Sequence, residues 1–193
     1  MLKMSSQSRA TYEHSPVAPA PASNDRDLRN TRALSLLRIG VGLLFLLFGE
    51  YKVFGTQFTF GGGFQGWIER FLHGGAAYPF MVPVLRSLVL PHEMAFALLV
   101  AYGELAIGIA LVLGVLTRVA SVAGMLYMLA LLFSSNYPGP GVAPWQYFGA
   151  ALNHLVLAMC FAAFAIGAPA SFSLGKYAAV RRLRLRWNRQ PSD

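Results

Sequence analysis

The chain has 193 residues, 55% of them hydrophobic and only 12% charged, with a mean hydropathy of +0.49 and a formal net charge of +8. Soluble domains carry about a quarter charged residues, so this composition excludes an ordinary water-exposed surface and makes insertion into a lipid bilayer the first expectation. The positive charge does not point to nucleic acid: no binding motif accompanies it, and the arginines flank the apolar runs, Arg26, Arg29 and Arg32 before the first and Arg181, Arg182, Arg184, Arg186 and Arg189 after the last.

Residues 1–32, with SPVAPAPASND at their centre, have no apolar period and read as a disordered basic tail. The first apolar run starts only at about residue 33, behind a basic cluster, and reads as an uncleaved membrane anchor rather than a signal peptide. A bilayer crossing takes about 20 helical residues. Four runs approach or exceed that length, at about 33–54, 94–116, 118–135 and 147–168. Helices satisfy their own backbone in lipid, and the alternation of a barrel strand is absent. The predicted fold is therefore all-α, an integral membrane four-helix bundle.

Between the first and second runs, Phe64, Trp67, Ile68, Phe71 and Leu72 recur at helical spacing, with Gln65, Glu69, Arg70 and His73 among the other positions. This predicts a short amphipathic helix in the outer loop, opened by Gly61–Gly63 and closed by Gly74 and Gly75, acting as a cap over the bundle or as a lid. The following YPFMVPVLRSLVLP is apolar but interrupted by Pro79, Pro83 and Pro91, so it is expected to lie in the interface and not to span. The Lys and Arg bias predicts that both termini lie on the cytoplasmic side. Tyr51, Tyr137, Trp145 and Tyr147 fall near run ends, as an aromatic belt does.

Ionisable residues inside a membrane are costly and generally face the bundle interior. Here they are Arg38, Glu50, Lys52, Glu104 and His154, with His92 and Glu93 at an edge. Arg38, Gly42, Phe45, Gly49 and Lys52 share one stripe of the first helix, and Glu93, Ala97, Val100, Glu104, Gly108 and Leu111 share one stripe of the second. The small residues in both suggest close helix approach. Arg38 either snorkels to the membrane edge or faces the bundle. Glu104, near mid-run, is expected to face inward toward Arg38 or Lys52, as a register-fixing ion pair, a proton-handling or ligand-contacting carboxylate, or a neutral carboxyl. Glu50 is expected to face water or the outer loop. Arg38, Lys52, Glu104 and Asn153 are the candidates for a polar core or ligand pocket, and Glu104 and His154 for catalytic proton transfer. No metal-ligand spacing, haem pair, phosphate loop or nucleophile elbow is present. The single cysteine, Cys160, cannot carry dithiol exchange and reads as a core residue.

LLRIGVGLLFLLFGEYKVFG resembles the opening helix of the DoxX/DoxD family of small four-helix bacterial membrane proteins, with Arg38, Gly40, Gly49 and Lys52 matching its pattern. GELAIGIALVLGVLTRVAS is similar to the family's second-helix signature at Glu104, Gly108, Gly114, Thr117 and Arg118. ASFSLGKY resembles the closing segment, with Gly175 where an aspartate is more usual. The resemblance covers about 33–177, which leaves 178–193 as a basic cytoplasmic tail, and the long outer loop fits the DoxD-like branch. It implies the bacterial cytoplasmic (inner) membrane and a quinone-linked oxidoreductase subunit, since DoxD-like members form the membrane subunit of thiosulfate:quinone oxidoreductase and DoxX members are tied to oxidative-stress responses. It supplies no catalytic residues. The expected partners are lipid and other subunits of a membrane complex. Quinone is the implied cofactor, and no cofactor is encoded by a motif of this chain. The alternative is a non-catalytic module that assembles or stabilises a partner complex. Whether the chain is an enzyme by itself stays open.

Overall fold

The computed structural model describes residues 23–149 and 152–167, and among these every regular element is helical. The first helix, α1, runs Ser23–Phe54. It begins well upstream of residue 33, so the C-terminal part of the segment read as a disordered tail is helical. Asp27 lies near its start, where a carboxylate favours a helix N-terminus, and Thr31 Oγ1 bonds back to Asp27 O at 2.7 Å. Two short helices follow, α2 (Thr56–Thr59) and the amphipathic α3 (Gly63–His73). The predicted apolar face of α3 is met in part: Phe64 and Ile68 are buried and Phe71 and Leu72 half-buried, but Trp67 is exposed, as are Glu69, Arg70 and His73.

The stretch expected to be broken by proline is instead continuous helix. α4 (Met81–Val84), a π-helical turn (Leu85–Val89) and a 3-10 turn (Leu90–His92) lead directly into α5 (Glu93–Leu113). Together Met81–Leu113 form one apolar helical run of 33 residues. Pro83 sits in a first turn, where its missing N–H costs little. The widened turn and then the tightened turn re-route the ladder around Pro91. Ser87 Oγ bonds Pro83 O at 2.6 Å and His92 Nδ1 bonds Leu88 O at 3.0 Å, so side chains supply donors to carbonyls in this irregular stretch.

Gly114, in the left-handed region at φ 67°, closes α5, and a three-residue turn leads to α6 (Thr117–Ser135). α7 (Gln146–Gly149) and α8 (Leu152–Gly167) complete the chain. Among the described residues three helical runs are long and apolar enough to cross a membrane, Asp27–Phe54, Met81–Leu113 and Thr117–Ser135, and α8 is a shorter apolar helix. The fourth predicted run is thus only partly covered by α8.

The three long helices and the shorter α8 form the expected bundle, α1 packed along α5 and α6 along α8, with α5 on α6 and α1 on α8 closing it. Both glycine stripes lie at the α1–α5 seam. A Cβ on Gly49 would lie 2.6 Å from Leu105 N, and one on Gly108 2.7 Å from Leu46 N. The bundle core combines Val41 and Phe45 of α1, Ile107 and Leu111 of α5, Ala120 and Met128 of α6, and Ala158, Phe161 and Phe164 of α8. The Phe161 ring fits because residue 124 is glycine, where a Cβ would sit 2.4 Å from it. A second core places Phe64 and Ile68 of α3 on Leu85, Val89 and Ala97. α3 therefore packs its buried face on the N-terminal half of the long Met81–Leu113 helix.

Candidate functional site

Among the described residues, three polar loci lie within the bundle. The central one is built on Glu104, at the middle of α5 and 6% exposed at its side chain. The stripe that buries Ala97, Gly108 and Leu111 also turns Glu104 inward. Lys52, on the inward stripe of α1 with Arg38, Gly42, Phe45 and Gly49, donates from Nζ to Glu104 Oε1 at 2.5 Å. Its ammonium also lies over the Phe58 ring, 5.2 Å from the centroid. Tyr127, near the midpoint of α6, donates its hydroxyl to the same Oε1 at 2.5 Å. Glu104 Oε2 is buried and has no hydrogen-bond partner among the described residues.

Such a pair in an apolar interior is costly to desolvate and holds only with good geometry and added hydrogen bonds. Tyr127 adds one of these at Oε1. Oε2 has none among the described residues and is itself buried. A carboxylate flanked by an ammonium and a phenol can hold, accept and return protons.

Arg38 belongs to a second locus. It is 0% exposed, so it faces the bundle and does not snorkel. Fourteen residues of helix put it about 21 Å along α1 from Lys52, out of reach of Glu104. Ser35 on its own helix and Ser121 on α6 are buried toward the same end.

The third locus is at the end of the bundle where α1 and α6 finish. His154 Nδ1 donates to Asn136 Oδ1 at 2.8 Å, and Ser135 Oγ lies 3.1 Å from the same atom. Asn136 is about 13 Å further along α6 than Tyr127, so His154 is not part of the Glu104 site. Asn153, expected in the polar core, is exposed, because its neighbour His154 points inward and successive helical residues diverge by about 100°. Glu50 is exposed, as read, and His92 is exposed with its ring on its own helix. The polar core expected of Arg38, Lys52, Glu104 and Asn153 is therefore not one site, since only Lys52 and Glu104 meet.

Beside this third locus Tyr78 ties the α3–α4 connection to α6. Its N–H donates to Phe133 O at 2.9 Å, Tyr137 N–H donates to Ala76 O at 2.7 Å, and the Tyr78 hydroxyl donates to Tyr147 O. Its ring packs on Phe133, Tyr137 and Tyr147. Burial, and then Tyr147 and Tyr137, push the Tyr78 phenol above its ordinary value. Of the aromatic residues read as a belt, Tyr51 and Trp145 are exposed, while Tyr137 and Tyr147 belong to this cluster.

Sequence reasoning missed Tyr127, Phe58 and Asn136. A buried tyrosine hydroxyl needs a partner, so Tyr127 in the middle of an apolar run was the available signal. Cys160 is half-buried against the bundle core. Residues 170–177, which carry the closing motif, lie outside the described residues.

No curated protein and no solved structure matches the chain significantly. The DoxX family model matches residues 33–136, more than half of the chain and the segment that holds Arg38, Lys52, Glu104 and Tyr127. With the glycine-seamed α1–α5 pair and its buried Lys52–Glu104 contact inside that match, the chain belongs to the DoxX family.

Proposed function

We propose that this membrane protein is a subunit of a quinone-linked oxidoreductase, and that a quinone head group is held at Glu104, Lys52 and Tyr127. The observation that carries this reading is the Glu104 carboxylate in the middle of α5, one oxygen of which accepts two hydrogen bonds while the other is buried without a partner among the described residues. The residues present fit such a group: Lys52 retains further N–H donors, Oε2 accepts, and Phe58 and Phe45 offer aromatic faces nearby. A bound quinone supplies two-electron chemistry that no motif of this chain provides. Lys52, Glu104 and Tyr127 position the head group and carry protons to and from its oxygens. Electrons reach it through a partner subunit, and the linked chemistry is oxidation of a sulfur compound such as thiosulfate, or an oxidative-stress response. On this reading the protein sits in the bacterial cytoplasmic membrane with both termini inside.

A second reading rests on the glycine seams of α1 and α5: a non-catalytic module whose Lys52–Glu104 pair only locks helix register while it assembles a partner complex. Thermal unfolding in mild detergent separates the two, because a ligand that binds the folded state raises the midpoint. Short-chain quinone, supplied in oxidised and reduced form, raises the midpoint of the wild type and leaves that of the Lys52→Met/Glu104→Leu double variant unchanged. No shift with either form in the wild type contradicts the quinone reading and leaves the assembly module.

A further inference from the structure

We infer that the Glu104 site selects the reduced, hydroxyl-bearing form of its ligand, the hydroquinone, over the oxidised form. The inference rests on the quinone reading given above and adds to it which redox form is bound. Two donors from two helices, Lys52 Nζ and Tyr127 Oη, converge on Glu104 Oε1. The two carboxylate oxygens are equivalent, so whichever one accepts both donors, the other is left without them. The remaining oxygen, Oε2, is a buried acceptor with no donor among the described residues, on a side chain 6% exposed. Leaving a buried charged acceptor unsatisfied is costly, and a ligand that donates to it relieves the cost. A hydroquinone hydroxyl donates an O–H there. A quinone carbonyl has no hydrogen to offer, and its oxygen beside Oε2 sets two acceptors against each other.

The same geometry predicts an inversion. In Glu104→Gln the side-chain oxygen stays where Lys52 and Tyr127 donate, and the amide NH2 takes the place of Oε2. The open position changes from acceptor to donor, so a carbonyl becomes the better ligand there.

The test is equilibrium binding of a short-chain quinone and its dithionite-reduced hydroquinone to the full-length protein in detergent, under anaerobic conditions. Wild type binds the hydroquinone about tenfold or more tightly than the quinone, the difference expected for one hydrogen bond to a charged group. Glu104→Gln reverses the order. Because Lys52 loses its counter-charge in that variant, Lys52→Met/Glu104→Gln serves as a neutral form in which Tyr127 alone orients the amide. Equal affinities, or tighter quinone binding, in the wild type overturn this inference alone, as does a folded Gln variant that still prefers hydroquinone. Binding of neither form by the wild type overturns the quinone reading and this inference with it.

Discussion

Lys52 on α1 and Glu104 on α5 stand 52 positions apart in sequence and meet at 2.5 Å inside the bundle. The Glu104 carboxylate, 6% exposed, depends on the Lys52 ammonium, which is itself 18% exposed. Breaking a buried pair by removing one partner costs about 3–5 kcal/mol, while replacing both with well-packed apolar groups is often neutral. Lys52→Met and Glu104→Leu are each expected to lower stability by about that amount, and the double variant to recover most of it. Denaturant unfolding in mixed micelles measures all the corners of the cycle. A double variant as unstable as the sum of the singles contradicts the pairing.

The α1–α5 seam gives a steric prediction. A side chain at Gly108 meets the backbone of α1, which cannot swing aside as a flexible side chain can. Gly108→Leu is expected to destabilise by about 1–3 kcal/mol or more. Gly40, matched by the same family pattern, has nothing within 4 Å of its added Cβ. Gly40→Leu should therefore leave the unfolding midpoint unchanged, and the contrast between the two is read in one thermal melt series.

Leu116, in the turn between α5 and α6, has φ 50° and is 71% exposed. A left-handed backbone costs an L residue with a Cβ about 1–2 kcal/mol, and an exposed side chain gives little packing in return. Leu116→Gly is expected to raise stability by about 1 kcal/mol after glycine's own entropy cost is subtracted. A fall in the melting temperature would show that the turn is not held in this conformation.

Tyr78 gives a pH signature. The folded protein holds the Tyr78 proton more tightly than the unfolded chain does. Below pH 10, the ordinary value, both states keep it and this stabilisation is fully present. Above pH 10 the unfolded chain releases its proton first, so stability falls as pH rises. Tyr78→Phe removes this component, and its stability should decline less steeply above pH 10 than that of the wild type in parallel denaturant titrations.

The helical stripes made much of this site readable from sequence. Arg38, Gly42, Phe45, Gly49 and Lys52 face inward together, and so do Ala97, Glu104, Gly108 and Leu111, because 3.6-residue periodicity survives any tertiary detail. The Lys52–Glu104 pair follows from these two stripes meeting. Tyr127 did not stand out, because tyrosine in a membrane sequence equally marks an interface and only packing shows where its hydroxyl ends. The prolines misled for a similar reason. Local preference says that Pro83 and Pro91 end a helix, but a π-helical and a 3-10 turn, with Ser87 and His92 bonding the carbonyls, carry the helix through. Asn153 lies outside the polar core expected of it because it is one position from the inward-facing His154, and adjacent positions on a helix face different ways.

The most direct test of the account is the quinone carried by the protein purified in mild detergent, extracted and counted per polypeptide. The wild type is expected to retain close to one isoprenoid quinone per chain, and a folded Lys52→Met/Glu104→Leu variant only the background of the membrane extract. Equal amounts in both, or background in both, would contradict a quinone site at Glu104.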